Sequence, residues 1–239
     1  MFYTLILSLF LILSTPEMSL KLHKEGNKLN IIDNTEHANK TDQLNQKIAD
    51  AYGISSFSKV KSITYTFNVE FGGKKFSRKW QRNPKTKDIT YWGKDSTNKE
   101  IKISYNRNKP MDEATKKIDA GFINDNYWLL FPFHLVWDTN VKFTDEGVKK
   151  YPLGGGEGHA LMVKYSDKVG YTPGDAFELF LGKDNMIKQW IYFHGGKLSN
   201  PRPATWEGNK NFGGITISTL HSTPTHAFKL WFSDVKVTE

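Results

Sequence analysis

Apolar and polar side chains begin to alternate strictly at Ser62. Ile63, Tyr65, Phe67, Val69 and Phe71 are interleaved with Ser62, Thr64, Thr66, Asn68 and Glu70, the period of a strand with one buried face. Gly72-Gly73 follows, a two-residue turn able to take the positive φ values that a tight hairpin requires. That turn sets the register. Phe71 should face Lys74, Val69 Phe76, Phe67 Arg78, Tyr65 Trp80 and Ile63 Arg82, with Glu70 opposite Lys75 on the other face. Arg78 is thereby expected to point inward, among aromatic rings.

Shorter alternating runs follow at the spacing of an antiparallel meander: Ile89 and Tyr91, then Ile101, Ile103 and Tyr105. Asn, Gly, Asp or Pro bounds each of them. After the stretch "LGGGEGH" the alternation resumes with Leu161, Val163 and Tyr165; Phe177, Leu179 and Leu181; Ile187, Ile191 and Phe193; Ile215 and Ile217; and Phe228, Leu230 and Phe232. In several runs the opposite face is also apolar (Met162, Phe180, Trp190, Tyr192, Trp231), so both faces of the sheet are expected to be covered in places. Two segments carry the helical period instead. Thr41 can cap a helix that aligns Leu44, Ile48 and Tyr52 and stops at Gly53. Asp112 can cap a second, through Lys116, Ile118 and Phe122, which Pro132 should break. About ten antiparallel strands, one helix before them and a helical insertion midway predict a mainly β (α+β) fold: a strongly curved sheet, or half-open β-barrel, with helices on its concave side.

The insertion ends in "INDNYWLLFPFHLVWD", from Ile123 to Asp138. From Tyr127 to Trp137 it holds one proline, one histidine and otherwise only large apolar groups. It is too short for a membrane span, which needs roughly 20 residues. It is therefore either core or the wall of an apolar cavity. The seven tryptophans (Trp80, Trp92, Trp128, Trp137, Trp190, Trp206 and Trp231) leave the same choice, since aromatic surface lines a ligand cavity as readily as it fills a core.

Composition narrows the setting. The 239 residues suffice for one large domain, and the formal charge of +8 is almost wholly lysine, with only Arg78, Arg82, Arg107 and Arg202 beside it. Base readout favours arginine, and neither a basic helix nor an RNP-like strand is present, so nucleic acid is not an expected partner. Transient contact with an anionic membrane surface remains compatible with the charge. Phe2 to Leu13 is an apolar run of signal-peptide length, although no Lys or Arg precedes it and Ser14-Thr15-Pro16 is a weak cleavage site. The expected organisation is a signal peptide over 1–18, a disordered leader over 19–40 rich in Asn and Lys, and one domain over 41–239, periplasmic or secreted and monomeric. Cysteine is absent, which removes both a disulfide framework and a lipid-modified cysteine.

The residues with candidate chemistry are sparse. Gly154, Gly155, Gly156 and Gly158 lack the Lys-Ser/Thr ending and the helix of a phosphate loop, and read as a turn into a strand. Asp175 follows Pro173-Gly174 and can fix that turn by bonding nearby amides. Glu178 reads as solvated or paired with a lysine of a neighbouring strand. The histidines at 134, 159, 194, 221 and 226 are scattered, without metal-binding spacing, and no cofactor is expected. His134 sits among apolar neighbours, where a neutral imidazole can bond a ligand carboxyl or, as the simpler reading, a local carbonyl.

The segments "INDNYWLLFPFHLVWD", "VGYTPGDAFELFLGKDNMIKQWIYF" and "LWFSDVKV" are similar to a family of uncharacterised exported bacterial proteins, a resemblance that covers most of the chain after about Ser56. In architecture the order helix, meander, helical insert, meander resembles the LolA/LolB superfamily of lipoprotein carriers, whose half-open barrel holds acyl chains beneath a helical lid. The resemblance implies a non-enzymatic carrier or sensor for a fatty acyl chain, lipid or lipidated protein. Fold alone does not transfer that function. The residues that would line the ligand are Tyr65, Phe67, Arg78, Trp80, Trp128, Phe131, Phe133, His134, Trp137 and Trp190, with Arg78 similar to the arginine that latches the lid in those carriers. Two alternatives stay open: an envelope module that binds a protein or glycan, favoured by a tightly packed interior, and a hydrolase or isomerase, favoured by a cleft with several titratable groups.

Overall fold

The computed structural model describes residues 44–95, 97–167 and 172–239. The apolar run at 2–13, the leader at 19–40 and the Thr41 cap lie outside them. The first helix, α1, covers 44–51. Ile48, Ala49 and Tyr52 are no more than 1% exposed, as the four-residue spacing requires. Gly53 ends the helix in the left-handed region at φ 84°. A Cβ there would stand 2.2 Å from the Gly214 carbonyl oxygen, so glycine is needed both for its φ and for the close approach of the two backbones. A 3-10 turn, Ile54–Lys59, leads into the sheets.

Among the described residues, twelve strands form two antiparallel sheets. The first contains β1 (Ser62–Phe71), β2 (Lys74–Arg82), β3 (Asp88–Lys94), β4 (Glu100–Asn106), β10 (Glu207–Phe212), β11 (Ile215–Ser222) and β12 (Phe228–Thr238), in the order β10-β11-β12-β1-β2-β3-β4. The second contains β5 (Val141–Lys150), β6 (Glu157–Tyr165), β7 (Ala176–Leu181), β8 (Ile187–Phe193) and β9 (Arg202–Thr205), in sequence order. Neither sheet closes on itself, so the expected half-open barrel is two open sheets. They approach each other where β9 meets β11: the Ser222 backbone amide donates to the Thr205 hydroxyl at 3.0 Å, and Thr205 accepts from the His221 ring through its carbonyl at 3.1 Å. The hairpin register is the one the Gly72-Gly73 turn dictates, pairing Phe67 with Arg78 and Tyr65 with Trp80. The inner face of β1 continues across β12, where Phe67 pairs with Phe232 and Val69 with Leu230.

The chain passes from edge strand β4 to edge strand β5 through one long helix, α2 (Glu113–Trp137). Asp112 caps it, its carboxylate accepting from the Thr115 amide at 2.7 Å. Near Pro132 it is interrupted, as expected, by a kink after which the chain turns helical again. The missing N–H of Pro132 and the crowding of its ring against the preceding turn are absorbed at Leu130, whose φ −123° and ψ 18° are non-helical. The helix then resumes to Trp137, with Leu129 to Leu135 buried all round. Among the described residues no helix is long and apolar enough to cross a membrane. The run "LGGGEGH" forms the turn between β5 and β6. Its Leu153 amide donates to the Gln189 side chain, and the hydroxyl of the preceding Tyr151 donates to the Leu181 carbonyl, which lays the turn over the outer face of the second sheet.

Candidate functional site

The site is built where α2 lies on the inner faces of the sheets. On its first half, Phe122, Asp125 and Leu129 follow one another at helical spacing on the buried side, and Asp125 is 0% exposed. Its carboxylate collects β2. Arg78 donates from Nε at 2.8 Å and from Nη2 at 2.6 Å, and the Trp80 indole N–H donates at 2.8 Å. Asn124 adds a fourth donor at 3.0 Å. Burial pushes the Asp125 carboxyl up against the pull of Arg78. Burial also opposes the charge of Arg78, but the carboxylate more than restores it and leaves the guanidinium raised. Two further polar ties fasten the same half of the helix: Arg82 to the Asn126 side-chain oxygen at 2.7 Å, and Arg107 with Tyr105 to Asp119.

The last turn of α2 is fastened to the second sheet through Asp138. Its carboxylate accepts from Tyr165 of β6 at 3.1 Å, from Tyr127 at a shorter distance, and pairs with His134 Nδ1 at 2.9 Å. Burial alone would raise this carboxyl, but the bonds from His134, Tyr127 and Tyr165 outweigh it and hold it below the usual value. His134 therefore has a side-chain carboxylate for a partner rather than the backbone carbonyl expected. Its other nitrogen faces the Asn126 amide at 3.4 Å, the position that a nucleophile would take in a hydrolytic His-Asp arrangement.

Between these two fastenings the rings close up. Trp128 meets Trp190 at 4.4 Å, Phe131 meets Phe177 at 4.7 Å and Trp190 at 5.2 Å. Tyr65, Phe67 and Trp80 are no more than 2% exposed, and the Arg78 guanidinium stands over the Phe67 ring at 5.3 Å. Phe133 and Trp137 turn the other way, onto Phe57 of the 3-10 turn, and Trp137 is 38% exposed. Eight of the ten expected residues thus lie along the contact of α2 with the sheets, while these two pack against the 3-10 turn that follows α1. The side chains that α2 covers are buried and packed against one another. A small pocket of about 10 Å³, lined by Arg78, Trp80, Tyr91, Lys117, Ile118 and Gly121, lies beside the Asp125 cluster, room for about one water. A wider depression of about 370 Å³ lies open on the β5–β6 edge, lined by polar groups such as Asn140, Lys142 and Lys164.

Sequence reasoning missed Asp125 and Asp138, and named Trp206 and His221 without placing them in the site. Asp125 did carry a signal: it falls three positions after Phe122 and four before Leu129, so an inward Arg78 had a carboxylate waiting on the facing stripe. Glu178 is paired with a lysine, Lys149 at 2.7 Å, though two strands away on β5. Asp175 accepts from the Tyr192 hydroxyl of β8 and from the Gly195 amide just beyond that strand, not from the amides of its own turn. Among the described residues, no group of three or more His, Cys, Asp or Glu is placed to hold a metal ion.

No protein-family model and no curated protein matches the chain. Among solved structures it is similar to a DUF1329 family protein from Desulfovibrio piger, at TM-score 0.45 and 10% identity over 84% of this chain and 93% of that one. It is also similar to a domain from Vibrio parahaemolyticus named for outer membrane lipoprotein sorting, at TM-score 0.48 and 10% identity over the same shares. A chain of the Pseudomonas aeruginosa MucA/MucB complex is matched at TM-score 0.27 and 11% identity, over 84% of this chain and 58% of that one. The lipoprotein-sorting likeness is the one to which the order of the sequence patterns pointed. At these scores the likenesses carry no argument, and the functional reading rests on this chain's own side chains.

Proposed function

We propose that the protein is an exported carrier or sensor for an amphiphile (a fatty acyl chain, lipid or lipidated protein) and that α2 is its lid, fastened shut in the conformation described. The observation that carries this reading is Asp125, a carboxylate 0% exposed on the apolar stripe of a helix and joined to Arg78 and Trp80 of β2. A helix that only fills a core gains nothing from such a pair, because apolar residues of similar volume do as well or better. A lid does gain from it. The pair is satisfied when α2 is down, and water can satisfy both partners when it lifts. The rings beneath, Phe131, Phe177 and Trp190 among them, offer the apolar surface. At about 25 cal/mol per Å², roughly 300 Å² of acyl chain removed from water suffices for micromolar binding.

Two measurements test this together. Native purification followed by organic extraction and mass spectrometry should yield a stoichiometric lipid, and the delipidated protein should bind a fluorescent fatty-acyl probe saturably. Arg78→Leu leaves Asp125 buried without its partner, at a cost of about 3–5 kcal/mol, and should speed probe uptake. Lys79→Leu, on the outward face beside Trp92, should change neither. A folded wild-type protein that yields no lipid and binds no probe ends the proposal.

The filled interior favours a second reading, an envelope module that binds through its surface. The outward face of the first sheet supports it: Trp92 lies between the ammonium groups of Lys79 and Lys102, and Trp231 between those of Lys75 and Lys229, all 4.8–5.7 Å from the rings. Such a face suits an acidic protein or glycan.

A further inference from the structure

Three buried nitrogens without a hydrogen-bond partner lie in consecutive rings beneath α2: Trp190 Nε1, Trp206 Nε1 and His221 Nε2. Trp190 and Trp206 are 2% exposed and His221 0%. The ring centroids are 5.1 Å apart from Trp190 to Trp206 and 4.4 Å apart from Trp206 to His221. A buried polar atom without a partner bears its full desolvation cost, which an apolar ring in the same place would not. Three such atoms in rings packed one against the next therefore ask for a reason beyond packing.

Their chemistry is defined. His221 Nδ1 stands 3.1 Å from the Thr205 carbonyl oxygen, which only accepts, so Nδ1 carries the hydrogen and Nε2 presents a lone pair. Burial pushes this imidazole down to about 3, which keeps it neutral at physiological pH. Each indole nitrogen only donates. The trio thus offers two donors and one acceptor, surrounded by the rings of Phe131, Phe177 and Phe232. A carboxylate would meet the donors but set its lone pairs against Nε2, and an ammonium would meet only Nε2. Either charge would be desolvated among apolar rings. A hydroxyl meets both kinds of atom, accepting from indole and donating to imidazole. The polar side chains Arg78 and His134 are already engaged, with Asp125 and Asp138 respectively.

Over the trio sits Trp128 of α2, 4.4 Å from Trp190 and 5.3 Å from His221. It stands two residues before the departure from helical geometry at Leu130. The geometry points to the trio as the seat for the uncharged hydroxyl head of a long-chain amphiphile, with Trp128 as the plug that fills it while α2 is down. This rests on the carrier reading and adds to it the class of head group and its place.

The test holds the chain constant and varies the head. Delipidated full-length protein is titrated with 1-decanol, decanoate and decyltrimethylammonium, each displacing the fluorescent acyl probe. The alcohol should bind about tenfold more tightly than either ion, a preference of the size one satisfied buried polar atom confers. His221→Phe and Trp206→Phe, which keep a ring in place, should each erase most of the preference, and Trp128→Ala should tighten alcohol binding. Probe binding with no preference for the alcohol in the wild type, or a preference that survives both ring substitutions, overturns the seat and leaves the carrier reading standing. No binding of the probe or of any of the three ligands, to wild type or to Trp128→Ala, overturns both. Because the wild-type comparison needs no variant, a substitution that fails to fold does not remove the test.

Discussion

At the scale of single residues, His221 is the clearest example of burial setting chemistry. Desolvation, opposed by the bond to the Thr205 carbonyl and by the nearby backbone of Ser218, brings its folded value down to about 3 from an ordinary value near 6.5. The sign follows directly. Above about 6.5 the ring is neutral in both states and the fold loses nothing. Below that, the unfolded chain takes up a proton that the native state refuses, so stability falls as the pH drops toward 3, by up to about 1.4 kcal/mol per pH unit. Urea midpoints between pH 7.5 and 4.5 should fall steeply in the wild type and more gently in His221→Phe; equal slopes would show that His221 becomes protonated in place. Arg78 shows the opposite side of legibility. Strict alternation and a two-glycine turn suffice to say where it points, because both are local. Trp206 and His221 meet only where β9 approaches β11, and no local pattern announces a contact made by tertiary packing.

Among the elements, α2 shows local pattern and burial acting together. The Asp112 cap and the apolar repeat locate it, and Pro132 brings the interruption the sequence predicts, as a kink at Leu130, while burial keeps the segment beyond it helical and in place. With Leu129, Leu130, Phe131, Phe133 and Leu135 all at 1% exposure or less, breaking off at Pro132 would expose more apolar surface than one lost backbone bond is worth. Strands β5, β9 and β10 escaped the same reasoning because they are largely polar or contain proline, as in "RPAT" and "EGNKNF", and their pairing with a neighbour rather than their own alternation makes them strands. The far end of α2 depends on Asp138, which three donors hold below its usual value. For a carboxyl lowered in this way, the stabilisation is complete above about 3.9, its unfolded value, and is lost as the pH falls through the folded value. Asp138→Asn should therefore be less stable than wild type by about 2 kcal/mol at pH 7, and the gap should narrow steadily as the pH falls below about 3.9, as read from denaturant midpoints. A gap that does not narrow would assign the effect to shape rather than to charge.

For the molecule as a whole, the decisive feature is that two open sheets share one helical connection, from edge strand β4 to edge strand β5. The mainly β, antiparallel class with a helical insertion between two meanders was legible in the order of the patterns. That the strands divide into two sheets was not, since this depends on strand tilt and long-range pairing that alternation does not encode. Because α2 reaches from β2 to the second sheet, its position decides whether the rings beneath it on both sheets are covered. A lid and a core helix then differ in what their polar contact is for. In a core helix, exchanging the Arg78–Asp125–Trp80 cluster for apolar groups of similar volume should be neutral or favourable in every respect. In a lid, the same exchange should remove the state that water stabilises and hold α2 down. The variant Arg78→Met, Trp80→Phe, Asp125→Leu removes all three partners at once and strands no charge. We expect its thermal midpoint to equal or exceed that of the wild type, while its uptake of the fluorescent acyl probe slows by about tenfold or more, the equivalent of ~1.4 kcal/mol lost from the open state. Undiminished uptake in a folded triple variant would mean that ligand reaches its site without α2 lifting, and a sharply lowered midpoint would mean that the charged cluster serves the fold itself.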